Sequence, residues 1–296
     1  MRIKCKKDLM YKAFQLLNGF ISSTTTKPIL QDVKIEVKDN IIDLYATDLE
    51  IGIRYFIELG KDDGDAENGI IILPENNVES ILREWGEEFI EIKVENSICN
   101  FSGKNSNFVI NGEVDIEQFP ASPIFPEDGF IEIDFSVISQ MIKRTVFVII
   151  SERIRHTLCG VSFRVEGNSI EMTATDGKRL SKVSNIIDNP HGISCNCIIP
   201  AKGLIQLERA ISCDTKSLNE RERGLKHKLK VKVENNRILF KSSNFIFTAQ
   251  LIDGKYPNCE KIIPKESNFD VILKTKDLIT SIKRAAVITT EGYRLV

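Results

Sequence analysis

The chain has 296 residues, of which 42% are apolar, with a formal net charge of −2. That length suits about two folded domains, and no run approaches the ~18 apolar residues a membrane span needs. The small net charge hides an asymmetry: residues 1–128 carry 13 basic and 24 acidic side chains, and residues 129–296 carry 27 and 18. A protein of this balance could hold nucleic acid only by gathering its cations on one surface.

In chain order, the first predicted element is an amphipathic helix, with Met10, Ala13, Phe14 and Leu17 on one face. A strand follows in which Val33, Ile35 and Val37 alternate with Lys34, Glu36 and Lys38. Pro74 then suits the first position of a helix carrying Val78, Ile81, Leu82 and Trp85. More alternating strands end at Phe119-Pro120. The order then recurs: a helix with Ile138, Met141, Ile142 and Thr145, a strand with Val161, Phe163 and Val165, a helix after Pro200 with Leu204, Leu207 and Ile211, and strands ending at Tyr256-Pro257. The polar stretch Cys213 to Lys228 reads as an inserted loop. Leu278, Ile279, Ile282, Ala285 and Ala286 open a third helix, and Val287 to Val296 should lead into a strand.

The recurrence extends to the residues. Ala46-Thr47-Asp48 returns as Ala174-Thr175-Asp176, Ile72-Leu73-Pro74 as Ile198-Ile199-Pro200, and Ile92-Lys93-Val94-Glu95-Asn96 as Val231-Lys232-Val233-Glu234-Asn235. A repeat of this size is a duplicated domain, not a solenoid unit. One-sided alternation argues for an α+β fold of antiparallel sheets backed by two helices per repeat. The expected domains are 1–128, 129–268 with the insertion at about 213–228, and 269–296 as the start of a third that is cut short.

Catalytic signals are weak. Seven cysteines at scattered positions suit free thiols in a reducing cytoplasm. His156, His191 and His227 have no zinc-ligand spacing, and Cys195-Asn196-Cys197 reads as strand. No phosphate-binding or nucleophile-elbow motif is present. Asp62-Asp63-Gly64-Asp65 lacks the twelfth-position Glu of a calcium loop and reads as an exposed acidic turn. No cofactor and no metal are expected, and the chain is read as a non-enzyme.

Thr173-Ala174-Thr175-Asp176-Gly177-Lys178-Arg179-Leu180 resembles the T-D-G-H-R-L segment of the bacterial sliding clamps, the β subunits of DNA polymerase III. Leu251 to Pro257 with Lys261-Ile262-Ile263-Pro264-Lys265 is similar to that family's D-G-R-F-P-D-Y…V-L-P-K. Lys27-Pro28-Ile29-Leu30 with Ala46 to Glu50 looks like its first domain, and Arg284-Ala285-Ala286-Val287 like the opening of its third. The resemblance implies a cytoplasmic, non-catalytic processivity factor of the replicative polymerase, with sheets outside and helices lining a ring of two three-domain chains around duplex DNA. It therefore implies a homodimer for a full-length chain. Partners would be double-stranded DNA held without sequence specificity, the polymerase α subunit, the clamp loader and other proteins carrying a clamp-binding peptide; no membrane is involved. A second reading is a clamp-derived peptide-binding scaffold that does not encircle DNA.

The resemblance also implies sites. A hydrophobic peptide pocket would use Leu158, Thr175, Gly177, Lys178, Arg179, Leu180, Pro257, Lys261, Ile262 and Tyr293; Lys178 stands where His is usual. The DNA-facing candidates are Lys12, Arg83, Lys143, Arg153, Arg155, His156, Lys202 and Arg209, while Thr24, Asn76 and Asn77 replace residues that are often basic. The dimer interface would set Phe108 and Ile110 against Val287 and Ile288 of the other chain.

Overall fold

The computed structural model describes all residues except 23, 24, 26, 114, 150–155, 218–226, 265–268 and 288–296, with only the backbone at 215–217. The first repeat runs β1 (Arg2–Lys6), α1 (Lys7–Leu17), β2 (Asp32–Lys38), β3 (Ile41–Thr47), β4 (Ile51–Glu58), β5 (Gly64–Glu67), β6 (Gly69–Pro74), α2 (Glu75–Glu84), β7 (Phe89–Glu95), β8 (Ile98–Ser102) and β9 (Asn107–Asn111). The second runs β10 (Ile131–Asp134), α3 (Phe135–Thr145), β11 (Gly160–Glu166), β12 (Ser169–Thr175), β13 (Leu180–Ile186), β14 (Cys195–Pro200), α4 (Ala201–Ser217), β15 (Lys228–Glu234), β16 (Arg237–Lys241) and β17 (Phe245–Gln250). Apart from β5 the two orders are identical.

Every pairing between named strands is antiparallel. The first repeat contributes a sheet β5-β1-β7-β8-β9, and the second a sheet β13-β12-β11-β14. The remaining strands of both repeats merge into one eight-stranded sheet, β10-β15-β16-β17-β4-β3-β2-β6. Its seam is the pairing of β17 with β4, with Phe247 opposite Ile53 and Thr248 opposite Gly52. This places Phe247 against Phe20 of the first repeat, edge to face at 5.6 Å. Burying two aromatic rings at the seam removes apolar surface from both repeats at once. The two repeats form a single compact unit, Met1–Tyr256.

Alternation explains the strands. Val33, Ile35 and Val37 are buried, while the intervening charged residues stay partly accessible. The same pattern places Val161, Phe163 and Val165 in the core. The predicted helix faces are also buried: Met10, Ala13, Phe14 and Leu17 on α1, and Ile138, Met141, Ile142 and Thr145 on α3. Helix α1 packs on α2, α3 on α4, and α1 also touches α4. The four helices therefore form one row, α2–α1–α4–α3, across the seam.

Several expectations need correction. The prolines precede their helices instead of opening them: Pro74 still pairs with Asp32 as the last residue of β6, with ψ of 118°, and α2 starts at Glu75. The 213–228 stretch is not all loop. Helix α4 continues through Cys213 to Ser217, because buried Asp214 accepts a hydrogen bond from Asn244 at 2.6 Å, and Lys228 already belongs to β15. The Asp62–Asp65 segment is not a free turn, because Gly64 and Asp65 open β5 on the edge of β1. Gly64 has φ of 129°, and a Cβ there would lie 1.9 Å from the Lys4 carbonyl oxygen. Asp63 and Asp65 pair with Lys6 and Arg2.

The second compact unit, Pro257–Val296, contains a short 3-10 turn at Cys259–Lys261 and the helix α5 (Thr275–Ala286). Leu278, Ile279 and Ile282 on α5 are exposed. The strand expected from Val287 onward falls almost entirely outside the described residues.

Candidate peptide pocket and nucleic-acid face

The turn between β12 and β13 is held by its own side chains. Thr175 Oγ1 donates to the Arg179 carbonyl at 2.7 Å and accepts from the Gly177 N–H at 3.1 Å. Asp176 Oδ1 accepts from the N–H groups of Lys178 and Arg179, both at 2.9 Å, and Oδ2 meets Arg179 Nε at 3.0 Å. Burial, the largest single influence on the Asp176 carboxyl, pushes its pKa up. The two backbone donors and the Arg179 guanidinium outweigh it and hold the carboxyl below its ordinary value. Gly177 takes φ of 88°, which an L side chain adopts at a cost. Tyr256 Oη accepts the Thr175 N–H at 3.0 Å.

This turn brings together five of the candidate pocket residues: Thr175, Gly177, Lys178, Arg179 and Leu180. Leu180 faces Thr175 across the strand pair, and the Arg179 side chain is 53% exposed. Leu158 is half-buried in the 3-10 turn that precedes β11. Pro257, Lys261 and Ile262 belong to the second compact unit and are exposed there. Tyr293 lies outside the described residues. The first repeat contains the same turn: Thr47 Oγ1 donates to Ile51 O at 2.7 Å, and Asp48 Oδ1 accepts from Glu50 and Ile51. The motif is thus a fold element in both repeats, and any binding role lies in the side chains it presents.

Five of the candidate DNA-facing cations, Lys12, Arg83, Lys143, Lys202 and Arg209, lie on the four helices, but their surroundings differ. Arg83 on α2 pairs with Glu79 and Glu84 at 3.3 and 3.4 Å. Lys143 on α3 pairs with Glu208 of α4 at 2.9 Å. Burial pushes the Glu208 carboxyl up, yet the hydrogen bonds from Lys143 and Ser212 hold it below its usual range. Lys202 pairs with Asp48. Arg209 instead donates to the Gln15 carbonyl at 3.3 Å and to Gln206, both uncharged. Lys12 is exposed on α1 and forms no ion pair with a described residue. His156 is exposed, and Arg153 and Arg155 lie outside the described residues. Arg144, a further exposed cation in the last turn of α3, stands beside Lys143 and was not singled out in the sequence.

At the candidate interface, Phe108 is 44% exposed on β9, the free edge of its sheet, and tilts against Trp85 with ring centroids 6.1 Å apart. Ile110 is partly buried against the core. Val287 ends α5 and is 83% exposed, and Ile288 lies outside the described residues.

Four of the cysteine thiols are held in the protonated form by burial. Burial pushes Cys5, Cys99 and Cys197 up to about 12 and Cys195 up to about 11. Among the described residues no group of three or more His, Cys, Asp or Glu could hold a metal, and no helix is long and apolar enough to cross a membrane.

The family description "DNA polymerase III beta subunit, N-terminal domain" matches residues 1–123, and "DNA polymerase III beta subunit, central domain" matches residues 132–258. The chain is 30% identical over 300 residues to the beta sliding clamp of Bacillus subtilis strain 168, covering 99% of this chain and 75% of that protein. It is 30% identical over 305 residues to the beta sliding clamp of Halalkalibacterium halodurans, covering 77% of that protein. Among solved structures, the Bacillus subtilis sliding clamp superposes with a TM-score of 0.87 at 29% identity, over 99% of this chain and 75% of that one. A Pseudomonas aeruginosa sliding clamp bound to griselimycin superposes at 0.85 with 25% identity, over 99% and 76%. The chain therefore belongs to the family of the DNA polymerase III beta subunit, the bacterial beta sliding clamps, which are non-catalytic processivity factors.

Proposed function

We propose that this chain's two repeats form part of a ring that encircles duplex DNA, built by joining repeats edge to edge, and that the turn Thr175–Leu180 carries partner proteins. The observation that supports the ring is the seam between β17 and β4. Strand β17 closes the second repeat as β9 closes the first, and β13 stands in the second repeat where β4 stands in the first. Among the described residues, both β9 and β13 are free edges. The chain thus offers one unpaired edge of each kind that the seam joins. Repeating that joint through a third domain and a second chain closes a six-domain ring and uses up edges that would otherwise aggregate. The proposed domains are 1–128, 129–268 and a third beginning at 269, with Phe108, Ile110, Val287 and Ile288 at the contact between the two chains of a homodimer.

In that ring the row α2–α1–α4–α3 faces the DNA, and the acidic excess of the first repeat lies on outer sheets and loops. Lys12, Arg209, Arg83, Lys143, Lys202, His156, Arg153 and Arg155 approach phosphates without reading bases. The peptide pocket comprises Leu158, Thr175, Gly177, Lys178, Arg179, Leu180, Pro257, Lys261, Ile262 and Tyr293, and receives segments of the polymerase α subunit and the clamp loader in the cytoplasm. Tethering raises the effective concentration of the polymerase at its template.

The test is a salt titration on several duplexes of unrelated sequence. The account expects equal affinities that fall together as salt rises, because binding rests on counterion release. A preference for one sequence that persists at high salt contradicts it and points to base-edge readout.

A further inference from the structure

The first repeat has a cavity where the second has its proposed peptide pocket. It measures about 410 Å³ and lies across the seam between the repeats, within the size range of small-ligand sites, about 300–1,000 Å³. One wall is the turn after β3, with Leu49 54% exposed, together with Pro120 and Pro123. The floor is Tyr45, buried under Phe119 with ring centroids 5.7 Å apart. The opposite wall is the hairpin turn Asn235–Arg237 of the second repeat.

The internal repeat relates the two places residue by residue. Thr47, Asp48 and Leu49 correspond to Thr175, Asp176 and Gly177, and Phe119-Pro120 to Tyr256-Pro257. The hydrogen bonds match as well: the Leu49 N–H donates to Thr47 Oγ1 at 3.0 Å as the Gly177 N–H donates to Thr175 Oγ1 at 3.1 Å. Leu49 takes φ of 77° where Gly177 takes 88°. A leucine held in that backbone region is strained, and the strain sets an aliphatic side chain at the mouth of the cavity.

We propose that this cavity is a second peptide-binding site, taking a short extended peptide with a bulky apolar side chain next to a carboxylate. Leu49, Pro120 and Pro123 form an apolar wall for the anchor. The amides of Asn235 and Asn236 offer both donors and acceptors, which is what an extended main chain needs. The exposed guanidinium of Arg237 has no carboxylate partner among the described residues and can pair with the peptide's acid. Burial raises the pKa of the Tyr45 phenol, and the Thr47 hydrogen bond and then the nearby Arg237 charge oppose that rise only in part. Specificity differs from the Thr175–Leu180 turn, because leucine replaces glycine at the rim. The inference is suggested by the reading of that turn but stands on the cavity's own residues.

The test is an amide NMR titration of the 296-residue protein with a capped peptide of sequence glycine-leucine-phenylalanine-aspartate-glycine. Shifts are expected at Leu49, Asn236 and Arg237, and they should persist in Arg179→Ala with Leu180→Ala. Arg237→Ala sits in an exposed turn, and Leu49→Gly keeps the positive-φ backbone available, so both should fold. Each should weaken this binding at least about tenfold. Shifts confined to Thr175–Leu180, or unchanged affinity in both variants, would overturn the proposal. Inorganic phosphate shifting Leu49 and Arg237 while the peptide does not would also overturn it and assign the cavity to an anion. Peptide shifts at Leu49 with none at Thr175–Leu180 would remove the parent reading and leave this one standing.

Discussion

Lys202, at the start of α4, forms an ion pair with Asp48 in the turn after β3 of the other repeat. The Asp48 side chain is only 5% exposed. Its counterpart Asp176 is paired instead by Arg179 within its own turn. One equivalent position of the repeat thus serves as a strap between repeats in one copy and as a support for a surface arginine in the other.

This difference ranks the cations. Lys202 is neutralised by Asp48, and Lys143 by Glu208, whereas Lys12 and Arg209 have no carboxylate partner among the described residues. Lys12→Ala and Arg209→Ala should each weaken duplex binding and reduce the log-log salt slope by about 0.9 for each phosphate left unneutralised. Lys202→Ala should change that slope less than either. Anisotropy titrations at three salt concentrations check this ranking, and a Lys202→Ala effect equal to that of Lys12→Ala would reverse it.

Arg179→Ala with Leu180→Ala should reduce affinity for a polymerase-derived clamp-binding peptide by at least about 2 kcal/mol, as truncation of an apolar and cationic anchor does. The fold should hold, because the turn's bonds to Thr175 and Asp176 use the Arg179 backbone. The Arg179–Asp176 side-chain pair that the variant removes is half-exposed and contributes at most about 1 kcal/mol. Calorimetry with the peptide, beside a melting curve, separates the two effects; unchanged peptide affinity would remove both residues from the pocket.

Gly177→Ala tests the turn itself. A Cβ at Gly177 has no atom within 4 Å, so the whole cost is the positive φ. Destabilisation of about 1 kcal/mol is expected, along with weaker peptide binding because Lys178 and Arg179 shift. A variant as stable as the parent would mean that the turn adopts another backbone at little cost.

Asp32 should make stability depend on pH. Burial, and then the nearby charge of Glu113, push its carboxyl up to about 6. The unfolded value is about 3.9. Between these values the folded chain keeps a proton that the unfolded chain has lost, so this contribution is present below the window and is lost as pH rises through about 6. Asp32→Asn should therefore raise stability at pH 7 by about 1 kcal/mol, less than the full shift because solvent screens the partly exposed group. The gain should vanish near pH 4. Melting temperatures of both proteins from pH 4 to pH 8 measure it, and a gain independent of pH would assign the effect to something other than this carboxyl.

Much of the fold was legible because local rules demanded particular residues. The Thr-Asp turn needs a hydroxyl and a carboxylate at fixed positions, so Thr47-Asp48 and Thr175-Asp176 announced the repeat. The helix faces followed from spacing. The seam was not legible: alternation in Phe245 and Phe247 shows that the strand is buried, but not that its partner lies about 190 residues earlier in β4. The end of α4 was misread for the same reason, since a polar run containing Asp214 reads as loop until Asn244 is seen beside it. At the site, sequence placed the turn residues together but could not show which cations were already paired. Lys202 and Asp48 are 154 residues apart in the chain.

Retention on circular DNA tests the ring most directly. Sedimentation would compare the 296-residue polypeptide with a form extended by one more repeat, each with nicked circular duplex and with the same duplex linearised. The account predicts that the extended form is a dimer that stays on circles and runs off linear DNA, and that Val109→Pro in the free edge β9 abolishes retention by blocking the strand pairing. An extended form that leaves circular and linear DNA at the same rate would contradict topological encirclement.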